Sequence, residues 1–245
     1  MSSVTQIKSI WYRTEIEVPS KHQLAAASWI VLSLEVEGRK IKDESACLPS
    51  GKQSVQTCHG MIGIFGEHSS GICTKVCIEI EARVEHAEIA TAINNAVTEY
   101  TATYGDRMKS IDPVTRKPGL VRHFYLKDLA PERFHLEIYG FNGHMGTMSE
   151  NDCAITKMAY IVRRIVSEIA GASVKLAGQT ADSSKLVLGG NQSFLPTHKD
   201  EDVMCRLSVA ASIGLAEYAE VFGAPGARCR TTFENLHPRP SANKN

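Results

Sequence analysis

Histidines and their neighbours hold most of the reactive chemistry in this sequence. His144 lies in Gly143-His144-Met145-Gly146, where flanking glycines let backbone come close to a ligand. A neutral imidazole there can donate to a developing oxyanion or shuttle a proton. Glu150 and Asp152 follow in Ser149-Glu150-Asn151-Asp152. They suit the first turn of a helix capped by Ser149, where acids meet the positive end of the dipole. As catalytic groups they would orient or ionise His144. A second polar segment, Gly189-Gly190-Asn191-Gln192-Ser193 with Pro196-Thr197-His198, reads as a glycine-opened loop. Such loops line pockets, and Asn191, Gln192 and His198 are its polar contributors. With Gly143 and Gly146 they form the expected substrate-binding set.

Other clusters carry less. Cys58-His59-Gly60 opens a glycine-rich stretch that ends at Glu67-His68. Neighbouring residues rarely face each other, so spacing does not make Cys58 and His59 a nucleophile pair. The stretch has neither the lysine of a phosphate loop nor a dinucleotide fingerprint. Cys73 and Cys77 fall on one face of an expected strand, at a spacing unlike a zinc knuckle. Nine histidines are scattered, with none paired at i,i+4 on a helix. No metal or other cofactor is assigned. Lys157 and Arg163-Arg164 read as a solvated helix face.

These residues need a scaffold. Composition is ordinary for a globular chain, 43% hydrophobic and 22% charged over 245 residues. Balanced charge, 27 basic against 27 acidic residues, argues against a nucleic-acid partner. The longest apolar run, near Ala25–Leu34, is half of what a membrane helix needs. Seven irregularly spaced cysteines and the lack of a leader-like opening point to a reducing, cytoplasmic setting.

Alternation marks strands at Ile7–Val18, Ser28–Glu37, Val76–Ala82, Leu120–Leu126, Phe134–Gly140, Ser173–Ala177 and Lys185–Leu188. A 3.6-residue stripe marks helices at His86–Thr103, Asn151–Ala170 and Lys199–Phe222. Residues 38–60 read as mostly loop. The expected organisation is a first α+β half (1–119), a second, lid-like half (120–223) and a tail (224–245). Shifted by 58 residues, Ile78–His86 overlies Leu136–His144 with Glu, Ile and His coincident, which suggests an internal repeat and would make His86 and His144 pseudo-symmetric. The fold class is α+β: an antiparallel sheet with helices on one face. An apolar uncovered face would call for a homo- or hetero-oligomer.

The segment Glu137-Ile138-Tyr139-Gly140-Phe141-Asn142-Gly143-His144-Met145-Gly146, followed by Ala154-Ile155 and a helix, resembles the lid, or dimerisation, domain of the zinc aminoacylase and carboxypeptidase family. The likeness covers residues 134–165. It implies ferredoxin-like βαββαβ units, and for His144 a role in stabilising charge on a reacting carbonyl. It implies hydrolysis of an amide or related C–N bond in a small molecule. No Glu-Glu pair occurs in the chain, so the family's metal ligands are not read here. The alternative is a non-catalytic oligomerisation or regulatory subunit of a hydrolase complex.

Overall fold

The computed structural model describes residues 7–45, 55–69, 71–106, 122–141, 152–179 and 185–236. Their order is β1 (Lys8–Glu17), a 3-10 turn (Ser20–His22), α1 (Gln23–Glu44), β2 (Thr57–Ile62), β3 (Lys75–Glu81) and α2 (His86–Tyr104). There follow β4 (Phe124–Ala130), β5 (Arg133–Tyr139), α3 (Ala154–Glu168), β6 (Ser173–Leu176), β7 (Leu186–Phe194), α4 (Asp200–Phe222) and β8 (Arg228–Leu236). The fold is α+β, as expected. Two antiparallel sheets of four strands run β2-β7-β1-β8 and β4-β5-β3-β6.

The two sheets follow one rule. The strands of the first sheet come as β1-α1-β2 and β7-α4-β8, and those of the second as β3-α2-β4 and β5-α3-β6. In each, the spatial order is second, third, first, fourth. One βαββαβ set is therefore inserted whole between the second and third strands of another. The 58-residue shift matches β3-α2 with β5-α3, the two halves of the inserted set. The strand pairing crosses the boundary expected near residue 119, because β1 joins β7 on one side and β8 on the other. The segment expected as a tail supplies β8.

The helices pack side by side in the order α4, α1, α3, α2 and cover one face of the sheets. Their apolar stripes fit this placement. Ile89, Ile93, Val97 and Tyr100 of α2 are buried, as are Ile155, Met158, Val162 and Ile165 of α3. Gly105 and Gly171, both at positive φ, follow α2 and α3. On the strands, Ile10, Tyr12 and Ile16 alternate inward from β1, and Val76, Ile78 and Ile80 from β3. The outward faces are polar. Arg133 reaches Glu79 and Glu81 across the second sheet, and Lys185 reaches Glu15 and Glu17 beside the first. On β4 of the second sheet, however, Tyr125 and Leu129 are exposed apolar side chains. No described helix is long and apolar enough to cross a membrane.

Three expectations are corrected. Ser28–Glu37 is not a strand but the middle of α1. Leu24, Ala27, Val31, Leu34, Gly38 and Ile41 are all buried at steps of three or four residues, whereas Val36 is 44% exposed. Ile30, Leu32, Leu34 and Val36 alternate as well, so the run fits both periods. The preceding Ala25-Ala26-Ala27 favours the helix. Among the described residues of 38–60 the chain is correspondingly not mostly loop: α1 continues to Glu44, and β2 starts at Thr57. Gly189–Ser193 is not a loop but the middle of β7, a central strand buried along nearly its whole length.

The glycine pair there serves clearance rather than turning. A Cβ on Gly190 would stand 2.2 Å from the Cys58 carbonyl oxygen and 2.3 Å from the Tyr12 hydroxyl. Both Tyr12 and His59 are registered against Gly190 from the flanking strands, and their side chains meet over it. Gly190→Ala is expected to cost about 2 kcal/mol by overpacking. Urea denaturation would read the cost, and an unchanged midpoint would refute the clearance argument.

Candidate functional site

The polar interior lies where the two βαββαβ sets meet. Tyr12 comes from β1, His59 from β2 and Glu35 from α1. From the inserted set come Thr156 and Lys157 on α3, Tyr100 and Tyr104 on α2, and Asp152 just before α3. All but Tyr104, which is partly buried, are buried. These groups form two adjoining clusters.

The first is a chain of phenol, imidazole and carboxylate. The Tyr12 hydroxyl is 2.6 Å from His59 Nδ1. His59 Nε2 is 3.1 Å from Glu35 Oε1. That approach is close but poorly aligned, and Nε2 has no well-formed hydrogen bond among the described residues. One tautomer suits both ends: Tyr12 donates to Nδ1, and the Nε2 proton faces the carboxylate. Thr156 donates to Glu35 Oε1 at 2.8 Å, and Tyr104 donates to Oε2 at 2.9 Å. Arg39 in turn donates to the Tyr104 hydroxyl at 3.1 Å.

Burial by itself would raise the Glu35 carboxyl, but the contacts from His59, Thr156 and Tyr104 outweigh it and hold the group below its ordinary value. Burial, helped by the Glu35 charge, pushes the Tyr12 phenol well up. Glu35 is thus a buried anion ringed by donors from His59, Thr156 and Tyr104.

The second cluster is an ion pair. Lys157 Nζ lies 2.8 Å from Asp152 Oδ2, with both side chains at or below 1% exposure. The ammonium also donates to the Tyr139 carbonyl at 2.6 Å and stands over the Tyr100 ring. The Tyr100 hydroxyl donates to Asp152 Oδ1 at 2.5 Å. Burial pulls the Lys157 ammonium below its ordinary value, against the opposing pull of Asp152. Lys157 is therefore not on a solvated face. On α3 every residue from Ala154 to Val162 is buried, since that part of the helix is enclosed between α1, α2 and both sheets.

Asp152 is the expected catalytic residue whose place is described. It is not in the first turn of a helix, because α3 begins at Ala154 with Cys153 as its cap. Its backbone oxygen accepts from Phe141 N at 2.8 Å. Gly140 N and Ala154 N are bound to the Thr74 and Cys73 carbonyls at 2.7 and 2.9 Å. Residues 141 and 152 are thus paired directly above the ion pair. Gly143, His144, Gly146 and Glu150 lie between them, outside the described residues.

The remaining expected site residues go to separate neighbourhoods. Asn191 and Gln192 are adjacent on β7 and so face opposite sides of the sheet. Asn191 Nδ2 donates to the Ser69 carbonyl at 2.8 Å, while its buried Oδ1 has no partner among the described residues. Gln192 Oε1 accepts from Thr57 at 2.6 Å, on the side of α1. His198 stands at the surface, 3.3 Å from Glu44. His198-Lys199-Asp200 has the His-x-Asp spacing of many metal sites, which the sequence reading passed over. The two side chains diverge, since Asp200 pairs with Lys8 at 2.8 Å. His86 pairs with Asp128 at 2.7 Å on an exposed edge.

Cys58 and His59 point to opposite faces of β2, as their adjacency implied. Cys73 and Cys77 do not share a face, because β3 begins only at Lys75 and Cys73 is buried before it. Burial pushes the Cys73 thiol up to about 12 and raises those of Cys58 and Cys153, so these three are protonated and poor nucleophiles.

The reading of the sequence missed Tyr12, His59, Glu35, Tyr100, Tyr104, Thr156 and Lys157. Glu35 gave one usable sign: on a helical count it falls in the buried stripe with Val31, Leu34 and Gly38. No family model, curated protein or solved structure matches the chain.

Proposed function

We propose that the chain is an enzyme acting on a small polar molecule, with hydrolysis of an amide or related C–N bond as its reaction. The carrying observation is the buried polar seam at the neck of residues 142–151. Charges withdrawn from water are costly and cluster at functional sites, and ligand sites favour the meeting of two structural units. The connectivity of the inserted set, which is that of a ferredoxin-like unit, supports the likeness to an aminoacylase lid.

In this reading His144 is the acid–base or oxyanion donor, and Glu150 would orient or ionise it. Asp152 is a positioning residue: it anchors the segment's neck and holds Lys157, and its own burial keeps it from substrate. Gly143 and Gly146 let backbone approach the ligand. Asn191, whose Oδ1 has no partner among the described residues, faces the opposite side of the first sheet from Gln192, so Asn191, Gln192 and His198 would contribute from separate walls. The Tyr12–His59–Glu35 chain is suited to hold a proton rather than to attack. No cofactor is required by this scheme, and the setting is cytoplasmic.

The test is a panel of small amides and ureides assayed with the full chain and with His144→Ala. Loss of an acid–base group is expected to lower turnover by about a hundredfold or more, with circular dichroism unchanged. A folded variant with wild-type turnover would remove the reading.

A second reading has an observation of its own. A groove of about 470 Å³ runs along the solvent side of α1 and α4, where Val209 and Ile213 are about half exposed beside Arg163 and Arg206. That surface favours a non-catalytic oligomerisation or regulatory subunit. Co-purification of a stoichiometric hydrolase, with an inactive isolated chain, would favour it over the enzyme.

A further inference from the structure

The outward face of the second sheet holds a group of side chains that the seam does not use. Cys77 on β3 and Glu137 on β5 are directly opposite in the ladder. His135, two residues before Glu137, shares its face. One donor atom from each of the three lies within 4.8 Å of the other two. The geometry points to a zinc site with Cys77, His135 and Glu137 as ligands and water in the fourth position.

The arrangement of Glu137 argues for a ligand rather than a plain ion pair. Its Oε2 receives the Lys75 ammonium at 3.0 Å and the Tyr139 hydroxyl. Its Oε1 is turned to His135 Nε2 at 3.8 Å, too far for a hydrogen bond. Zinc bonds of about 2.0–2.1 Å to nitrogen and oxygen would close that gap by a few tenths of an ångström. Lys75 and Tyr139 then act as outer partners that fix the carboxylate, as metal-bound carboxylates usually require.

The neighbouring charges are differently engaged. Glu79 takes Lys175 at 3.1 Å and Arg133 at 3.7 Å, and Arg133 also meets Glu81. Cys77 is the half-buried thiol in the middle of this charged face.

The donor set selects the ion. Magnesium and calcium take oxygen ligands, whereas one sulfur, one nitrogen and one oxygen suit zinc. On binding, the Cys77 S–H bond breaks, its proton passes to solvent, and a zinc–sulfur bond forms. Thiolate and carboxylate together neutralise the dication, so the nearby Lys75 charge is tolerated. A β-ladder fixes the three Cα positions before metal arrives, and only exposed side chains must adjust. The site lies on the face away from the helices and stands or falls separately from the hydrolase reading.

The test titrates the full chain, stripped with a chelator and kept reduced, with cobalt and then zinc. One cobalt per chain should give a near-ultraviolet thiolate-to-cobalt band that zinc abolishes, and zinc binding should release protons. Cys77→Ser should remove the band, and Cys205→Ser, at an exposed thiol, should leave it. His135→Ala and Glu137→Gln should each weaken binding by more than about tenfold, since even outer partners cost that much. A wild-type chain without the band, or a band that persists in folded Cys77→Ser, overturns the site. Should Cys77→Ser fail to fold, unchanged cobalt affinity in both His135→Ala and Glu137→Gln overturns it equally.

Discussion

Replacing Asp152 with alanine is expected to cost about 3–5 kcal/mol of folding stability, the usual penalty for stripping one partner from a buried ion pair. Lys157 is fully buried, and Asp152 is its one carboxylate contact among the described residues. Without Asp152, the ammonium keeps the Tyr139 carbonyl and the face of the Tyr100 ring, neither of which carries a full negative charge. The Tyr100 hydroxyl loses its acceptor as well. The penalty is that of an uncompensated charge, not the net worth of the pair. Asp152→Asn with Lys157→Met should therefore recover much of the loss, because well-packed neutral groups are often as stable as the pair they replace. Urea denaturation of the three chains is the measurement. A loss under about 1 kcal/mol for Asp152→Ala would show that water or a neighbour compensates the ammonium. A double variant no better than the single one would show that packing, not charge, sets the cost.

The same pair shows what a linear reading can and cannot recover. The stripe on α3 was legible because Ile155, Met158, Val162 and Ile165 repeat at helical spacing. The fate of Lys157 was not, because enclosure of the opposite face depends on α1 and α2, far away in sequence. The helices α2 and α4 and the strands β3 and β5 were legible for the reason that served α3: one period dominates each window. In α1 two periods coincide over Ile30–Val36, and alternation concealed the helix. Gly189-Gly190 has the composition of a turn, yet it is clearance inside a strand: Gly190 makes room for the Cys58 carbonyl and the Tyr12 phenol, and Gly189 for Met61 and Ser69. The nesting left no local trace. It rests on β1 pairing with β7 and β8, contacts between residues from 170 (Ile16 with Leu186) to 227 (Ser9 with Leu236) positions apart. Of the expected site, Asp152 was found at a structural neck, and Asn191 and Gln192 on opposite faces, because a loop and a strand orient successive side chains differently.

Glu35→Gln carries the other large expectation, about 3 kcal/mol lost near neutral pH, from two or more unmade buried hydrogen bonds at about 1–3 kcal/mol each. The carboxylate faces donors on both oxygens: Thr156 and the His59 Nε2 edge on one, Tyr104 on the other. Glutamine offers one acceptor where two are needed and sets an N–H₂ group against a donor. Acid should shrink the difference. The folded-state pKa of Glu35 is lowered, so the unfolded chain binds its proton more tightly. The stability Glu35 contributes is complete above its ordinary value of about 4.3 and drains away as pH falls through the folded value. The wild type loses up to about 1.4 kcal/mol per pH unit on this account, one proton's worth, and the glutamine chain loses none of it. Glu17, Glu44 and Glu137 are also held low by cationic or hydroxyl partners, but they are common to both chains and cancel in the difference. Stability measured at pH 5 and again at pH 3 should therefore bring the two chains together. A gap that stays constant between these values would mean that Glu35 titrates alike in the folded and unfolded chains, and a gap that widens in acid would mean that the folded carboxyl is held as a neutral acid; either result removes the buried anion.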